Sequence, residues 1–211
     1  GPVKHAAIFD GEEYDARIPS PVSGSSQLST PEVNKEFKGV IVPTCGAEIY
    51  QLRELDLAPQ CAYVYSKIEG ATDDANGKIV IDREYQRPMF NGQCSIVIDF
   101  GQTCAAVPSF RFKAKEGTRL TCLPAELLND GNGAQSRGMD GPEGSIHRKN
   151  LRIHETGIRL DYTFAGDKKA EEYTPRCTFF GYRFLDITAT DEVVIEQVLS
   201  IPVSSITPSI E

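Results

Sequence analysis

The chain has 211 residues, 40% of them hydrophobic, so it is long enough and apolar enough to bury a core. It carries 22 Lys and Arg residues against 30 Asp and Glu residues, which gives a formal net charge of −8. This acidic balance argues against nucleic acid and anionic membranes as partners. No apolar run approaches the roughly 20 residues of a membrane-spanning helix, so we expect no membrane span.

Strand-forming runs recur along the chain, and sequences rich in Asn, Asp and Gly separate them. Phe110–Ala114 alternates strictly between apolar and polar side chains, which predicts a strand with one buried face. The two stretches that resemble helices, "GAEIYQLREL" and "PAELLND", also fit a strand followed by a turn. Many short strands with frequent turns indicate an all-β fold, an antiparallel β-sandwich. The predicted strands are "GVIVPT", "AEIYQLRE", "CAYVYSK", "KIVIDRE", "SIVIDF", "SFRFKAK", "TRLTCLP", "GIRLDYTF", "GYRFLDIT" and "VVIEQVLSI".

The organisation along the chain predicts two parts that pack into one unit. Residues 1–90 form an N-terminal β segment, and residues 91–205 form a β-sandwich module. Residues 19–34 are rich in Pro, Ser and Gly and are predicted to be a loop. Residues 129–150 are Gly-rich and polar, and a loop of that length in a compact domain is either functional or mobile.

The six cysteines allow either three disulfides or free thiols. Cys94, Cys122 and Cys177 lie within apolar or alternating runs, where a reduced Cys behaves as a small core residue. We therefore expect most of them to be free thiols. No CxxC pair and no zinc-knuckle spacing is present, so no metal site is predicted from cysteine.

The tripeptide Asp99-Phe100-Gly101 matches the magnesium-binding sequence of protein kinases. However, the chain contains no Gly-rich phosphate loop, no VAIK-like lysine and no HRD sequence. We therefore interpret the tripeptide as a strand that ends in a bend permitted by Gly101. Either Val97 and Phe100 point inward, or Ile96, Ile98 and Phe100 do.

Several motifs in this order resemble the module that precedes the catalytic barrel in bacterial α-L-rhamnosidases. They are Ile98-Asp99-Phe100-Gly101, Ala125-Glu126-Leu127 and the run from Tyr173 to Phe184 ("YTPRCTFFGYRF"). Upstream, "GEEYDARI" at Gly11–Ile18 resembles a piece of the segment that precedes this module in the same family. The resemblance covers residues 8–18 and 94–205. The sequence departs from the family pattern in two places: "AAVPS" replaces an expected small residue, and the Trp-containing stretch usual after "YDAR" is absent.

The resemblance implies a concanavalin-like sandwich with no catalytic residue of its own. In that family the catalytic acid and base belong to the downstream helical barrel, which is the implied partner within the same polypeptide. We expect an accessory module that scaffolds this barrel. The alternatives are a carbohydrate-binding module that recognises L-rhamnose-containing polysaccharide and a stand-alone jelly-roll enzyme. Exported relatives imply the periplasm or the cell surface, with the cytoplasm as the alternative; Gly1 resembles a processing scar, after which any export signal is already lost.

Acidic residues are abundant, and five of them cluster in or near the long loop, so candidate carbohydrate-binding residues are easy to nominate. The candidates are Glu126, Asp130, Asn132 and Tyr162. Other acids near the long loop are Asp140, Glu143 and Asp161, and other tyrosines suited to a sugar are Tyr14, Tyr63 and Tyr65. No cofactor is predicted, although two turns offer oxygen ligands of the kind that calcium prefers: Asp73, Asp74 and Asn76, and Asn129, Asp130 and Asn132.

Three further expectations concern side-chain placement. Phe180, Tyr182 and Phe184 alternate and are expected to share one core face. Arg183 is expected to point outward or to pair with an acid such as Asp186. The histidines His147 and His154 are expected to be solvated rather than to bind zinc.

Overall fold

A computed structural model describes residues 1–20, 32–43, 45–66, 80–82, 89–91, 94–130, 132, 143–151, 157–166 and 169–206. Fourteen strands and one 3-10 helix, Arg53–Leu55, lie within these residues. None of the helical structure described there is long and apolar enough to cross a membrane. The strands are β1 (Val3–Ala7), β2 (Gly11–Asp15), β3 (Tyr50–Gln51), β4 (Cys61–Ser66), β5 (Val80–Asp82), β6 (Met89–Asn91), β7 (Cys94–Ala114), β8 (Arg119–Ala125), β9 (Leu127–Leu128), β10 (Ile146–His147), β11 (Arg159–Thr163), β12 (Glu171–Tyr173), β13 (Phe180–Ala189) and β14 (Glu192–Ser204).

The strands form one large curled sheet and a small separate pair, which confirms the all-β prediction. The main path runs β1-β2-β11-β8-β13-β7-β14-β3, with β12 and β4 beside β7, β5 beside β4, and β6 beside β14. The small pair is β9 with β10: β9 lies just before the predicted 129–150 loop, and β10 lies within it. Most neighbouring strands are antiparallel, as predicted. However, β2 and β11 are parallel, which adds the N-terminal strands to the sheet that contains β11, β8 and β13.

Strand β7 is the central element, because its two halves pair with different neighbours. Its first half lies between β4 and β13, and its second half pairs with β12 on one side and β14 on the other. We predicted two strands here, "SIVIDF" and "SFRFKAK", and the structure has one continuous strand of 21 residues. A strand that bends and then continues allows one chain segment to serve both layers of a sandwich.

The bend in β7 is a β-bulge opposite β13. Tyr182 lies opposite Cys104 but Phe184 lies opposite Asp99, so residues 100–103 of β7 face Arg183 alone. Such a shift exchanges the inward and outward faces of a strand. The shared face predicted for the three aromatic side chains of β13 is therefore wrong for Phe184.

The bulge divides the buried side chains between two clusters. Phe180 and Tyr182 before the bulge join the main core, and so do Leu185 and Ile187 after it. Phe184 instead packs in a smaller cluster, with Val97, Ala125 and Ile146. On β7, the main core takes Ile96, Ile98 and Phe100, which is the second of the two inward sets predicted from the sequence.

Two predicted strands in the N-terminal half differ in the structure. Residues 39–43 of "GVIVPT" form no strand, and the side chains of Val40, Ile41 and Val42 are exposed. In "AEIYQLRE", the strand is limited to β3, and the 3-10 helix follows it. High β-propensity does not produce a strand where no neighbouring strand supplies hydrogen bonds.

The cysteines whose thiols the structure describes as free are Cys45, Cys104, Cys122 and Cys177. Cys122 is buried in the main core, and burial raises the pKa of its thiol. Burial likewise raises the pKa of the partly buried Cys104 thiol. Both side chains therefore act as small apolar residues at neutral pH.

The buried carboxylate of Glu12 joins the N-terminal strands to the sandwich module. Glu12 is 3% exposed, and its Oε1 accepts a hydrogen bond from the Tyr173 hydroxyl at 3.0 Å. Its Oε2 accepts the backbone N–H groups of Arg176 and Cys177, each at 3.1 Å. The Thr178 hydroxyl donates to the Ile8 carbonyl at 3.0 Å and adds a second connection. The "GEEYDARI" and "YTPRC" motifs are thus in direct contact.

We predict that Glu12→Ala lowers the free energy of unfolding by about 3 kcal/mol, because a buried hydroxyl and two backbone N–H groups lose their acceptor. Urea denaturation followed by circular dichroism measures the change. Glu13→Ala is the matched control, since the Glu13 side chain is 41% exposed and its carboxylate is 3.8 Å from Arg119. It should change the stability by less than about 0.5 kcal/mol. Equal effects of the two substitutions would contradict this account of Glu12.

Candidate functional site

The tripeptide that resembles a kinase motif forms the bulge of β7 and binds an arginine. Gly101 has a φ of 83°, a conformation that glycine adopts easily. Asp99 is 5% exposed, and its Oδ1 accepts the Gly101 N–H at 2.7 Å. Arg183 donates to both carboxylate oxygens, from Nε at 2.7 Å and from Nη2 at 2.8 Å. Arg183 therefore pairs with an acid, as expected, and that acid is Asp99.

Three tyrosine rings pack together next to Glu12, and one of them, Tyr173, donates the hydrogen bond to its carboxylate. The rings of Tyr14 and Tyr162 stack at 5.5 Å between centroids, and Tyr173 contacts both rings. Tyr162, a predicted sugar-binding candidate, is 3% exposed, and its hydroxyl donates to Glu171 Oε2 at 2.8 Å. The structure thus places the Tyr162 ring in the core, where its faces contact protein. The side chains of Tyr63 and Tyr65 lie outside the described residues.

The other predicted sugar-binding candidates lie around the β9–β10 region. Glu126 Oε2 accepts a hydrogen bond from the Asn150 amide at 3.2 Å. Asp130 Oδ1 accepts the backbone N–H of Asn132 at 3.1 Å, which closes a short turn, and Asn132 is exposed. Of the wider acidic group, Glu143 is also exposed, and Asp140 lies outside the described residues.

Asp161, the remaining acid of that group, is held by two arginines. It is 3% exposed, and Arg119 Nη2 and Arg159 Nε lie 2.9 and 2.7 Å from its Oδ2. Its Oδ1 accepts the Thr121 hydroxyl at 2.6 Å. Its oxygens are thus occupied by side chains of β8 and β11.

Asn129 closes the loop that we considered for calcium. It is 2% exposed, and its amide donates to the Ser145 hydroxyl at 2.9 Å and to the Ile146 carbonyl at 3.1 Å. Its oxygen lies 3.2 Å from Nδ1 of His147, which is buried, so the expected solvation of His147 is wrong. Asp73, Asp74, Asn76 and His154 lie outside the described residues. Within the described part, no group of three or more His, Cys, Asp or Glu side chains is arranged to hold a metal ion.

A polar cleft of about 890 Å³ crosses the outer face of β12, β7 and β14. Glu172 lies opposite Arg111, and Arg111 lies opposite Gln197, so the three side chains form a row across the strands. Arg176 and Arg53 line the cleft beside this row. We call this site the arginine cleft, defined by Arg53, Arg111, Glu172, Arg176 and Gln197. The sequence analysis missed it, because its residues come from four separate segments.

An apolar hollow of about 390 Å³ lies next to the end of the 129–150 region. Phe9 at its rim is 62% exposed, and the adjacent Ile8 is 51% exposed. A cluster of exposed apolar side chains around a hollow is typical of a contact surface. The hollow is lined by Phe9, Pro124, Glu126, Leu151, Ile158, Phe179, Phe180 and Gly181.

Comparison with known proteins identifies the family. The sequence profile described as "Bacterial alpha-L-rhamnosidase concanavalin-like domain" matches residues 91–204. The chain belongs to this family. The bulge of β7, the arginine cleft floor and the Glu12-bound loop all fall within the matched residues of this rhamnosidase-type domain, whereas Glu12 itself lies before them.

The relatives of this rhamnosidase-type domain are much longer proteins. An α-L-rhamnosidase of Alteromonas sp. (strain LOR) is 25% identical over 193 residues, which cover 91% of this chain and 17% of that protein. Two crystal structures share the fold. They are the native α-L-rhamnosidase of Aspergillus terreus (TM-score 0.58, 21% identity, 98% of this chain and 20% of that chain) and the Streptomyces avermitilis α-L-rhamnosidase complexed with L-rhamnose (TM-score 0.56, 21% identity, 96% and 16%).

We predict that Asp99 and Arg183 are energetically coupled. A double-mutant cycle of Asp99→Asn and Arg183→Gln, measured by urea denaturation, should give a coupling energy of about 1–2 kcal/mol, because the paired carboxylate is buried. Asp15 and Arg17 provide the matched cycle, since Arg17 also donates from Nε and Nη2 but Asp15 is more exposed than Asp99. That pair should couple by less than about 1 kcal/mol. Equal coupling energies would show that burial of Asp99 contributes nothing.

Proposed function

We propose that this domain is a non-catalytic accessory module of a glycoside hydrolase related to α-L-rhamnosidases, and that it scaffolds a catalytic helical barrel in the same polypeptide. The observation that carries the proposal is that the buried carboxylates of the domain are hydrogen-bonded within the protein. Glycoside hydrolysis requires two carboxyl groups that face each other across the scissile bond. Here Glu12, Asp99 and Asp161 each accept hydrogen bonds from fixed protein donors instead.

The apolar hollow supports the scaffolding part of the proposal. Phe9 at its rim and the adjacent Ile8 present apolar surface to solvent, and a packed domain interface would remove this surface from water. The occupant that we propose is the catalytic barrel, since the relatives are about six times as long as the matched segment. Leu151 lines the hollow at the end of the 129–150 region, so this region would lie close to the domain boundary.

We predict that the 211-residue chain does not hydrolyse an aryl α-L-rhamnoside. The assay is release of nitrophenol, followed while the protein is carried through two successive chromatographic steps. Any turnover from a contaminating enzyme should separate from the chain. Turnover that stays with the chain and is lost in Glu126→Gln or Glu172→Gln would overturn the non-catalytic assignment.

We also predict that Phe9→Ser weakens the polypeptide that carries both the module and the barrel. Burying a Phe side chain at an interface contributes about 1.5–3 kcal/mol, so the melting temperature of the combined polypeptide should fall. The 211-residue chain should be nearly unaffected, because Phe9 is exposed in it. Leu55→Ser is the control, since Leu55 is 54% exposed and lies outside the hollow. The same loss in both variants, or none in Phe9→Ser, would remove the hollow as the docking surface.

The arginine cleft favours a second candidate function, a carbohydrate-binding module that recognises L-rhamnose-containing polysaccharide. Its floor presents guanidinium, carboxylate and amide groups in one row, and such groups form hydrogen bonds with sugar hydroxyls. The cleft is open and wide enough for more than one sugar ring, because three strands spaced roughly 4.8 Å apart form its floor. Scaffolding and sugar binding use different surfaces and are compatible in one module.

A further inference from the structure

The arginine cleft concentrates positive charge on an acidic chain. The chain has a formal net charge of −8, yet three arginines line this one cleft. The acidic residues that line it are Glu172, whose side chain is 76% exposed, and Glu12, which is buried and occupied by three hydrogen bonds. The cleft is therefore a local site at which a ligand of negative charge is favoured.

Arg176 has the guanidinium group best placed for a ligand. Its backbone N–H is fixed by Glu12, while its exposed side chain makes no hydrogen bond or ion pair with the described residues. A free guanidinium presents five N–H donors in a fork that matches a carboxylate.

The guanidinium groups of the other two arginines, Arg111 and Arg53, are only partly engaged by acidic neighbours. Arg111 Nε donates to Glu196 Oε2 at 3.0 Å, while its Nη1 is 4.0 Å from Glu172. Glu196 also pairs with Lys113 at 2.6 Å, so it is shared between two cations. Arg53 Nη1 lies 3.8 Å from Asp56 Oδ2, beyond hydrogen-bond distance. Arg111 and Arg53 therefore retain donors that can face the cleft.

The mixture of groups points to a saccharide rather than to a phosphate polymer. Glu172 lies at one end of the row, next to Arg111, and would repel a ligand with closely spaced phosphates. The same carboxylate accepts hydrogen bonds from hydroxyl groups, and the exposed Gln197 amide both donates and accepts. A ligand with one acidic group and several hydroxyls satisfies all of these side chains.

We propose that the arginine cleft binds a carboxylate-bearing saccharide, a uronate residue within an oligosaccharide, and that Arg176 pairs with the uronate carboxylate. The inference rests on the second candidate function, carbohydrate binding, and adds the chemical class of the ligand. Arg111, Glu172 and Gln197 hydrogen-bond the hydroxyls of the same or the adjacent ring. Binding is predicted to weaken with rising salt, because the central contact joins two opposite charges at an exposed site.

The experiment is isothermal titration calorimetry of the 211-residue chain with an oligogalacturonate, at low and at high salt. We expect Arg176→Gln to weaken binding by roughly tenfold or more, since a hydrogen-bonded charge pair is lost. Arg176 is exposed, so this variant should keep the wild-type circular dichroism spectrum and urea midpoint. Lys115→Gln is the matched control: it removes one positive charge from a 74% exposed side chain outside the cleft and should change affinity less than twofold.

Further titrations with other ligands separate the possible explanations. Equal affinity for polyglutamate would show a general anion surface and overturn the saccharide assignment. L-rhamnose or neutral oligosaccharides binding as tightly as the oligogalacturonate would overturn the uronate inference and leave carbohydrate binding standing. The uronate inference would also be overturned, and carbohydrate binding would stand, if the oligogalacturonate gave no heat while L-rhamnose gave heat that disappeared on chelation of calcium. No heat with any saccharide would remove both the inference and the second candidate function.

Discussion

The hydrogen bonds of the Glu12 carboxylate are the constraint on which the rest of this structure depends. A carboxylate that is 3% exposed is costly to bury unless its charge is met by donors, and here one hydroxyl and two backbone N–H groups meet it. These donors come from a segment more than 160 residues away along the chain. The same bonds fix the loop that carries Arg176 and the ring of Tyr173, so they also shape one wall of the arginine cleft.

The buried acidic side chains of the domain hold strands and loops together through hydrogen bonds, and other polar side chains lie at the surface. Asp99 binds Arg183 and stabilises the bulge that lets β7 pair with two sets of neighbours, while Asp161 on β11 joins β8 through Arg119 and Thr121. Burial raises the pKa of Tyr173 well above its ordinary value, so its hydroxyl keeps its proton and donates to Glu12. The arginine cleft instead presents exposed polar side chains, those of Arg176, Glu172 and Gln197.

Much of the fold was predictable from the sequence, because the alternation of apolar and polar residues and the positions of turn residues indicate where strands form locally. The all-β class, the "SFRFKAK", "TRLTCLP" and "VVIEQVLSI" strands and the inward set of Ile96, Ile98 and Phe100 all followed from it. The bulge opposite Arg183 was not predictable, since it depends on the register between two strands, and it moved Phe184 into another cluster. The exposed "GVIVPT" segment shows the converse case, in which strong propensity lacks a neighbouring strand.

The candidate site was less predictable than the fold. Arg111, Arg176 and Gln197 are ordinary surface residues in the sequence, and only the pairing of β12, β7 and β14 brings them together. The contact between Glu12 and the Arg176 loop had one available signal: both "GEEYDARI" and "YTPRC" belong to the motifs that resemble α-L-rhamnosidases. The resemblance placed them in neighbouring segments, the first before the module and the second within it, and it gave no reason to expect a hydrogen bond between them.

The most direct test of the central claim is native-state hydrogen exchange of the Arg176 and Cys177 amides in increasing denaturant. If Glu12 joins the N-terminal strands and the module into one cooperative unit, these two amides exchange only through global unfolding, together with amides of β7 and β13. Exchange of Arg176 and Cys177 at a much lower opening free energy, while β7 and β13 remain protected, would show that the loop opens by itself and would contradict the account.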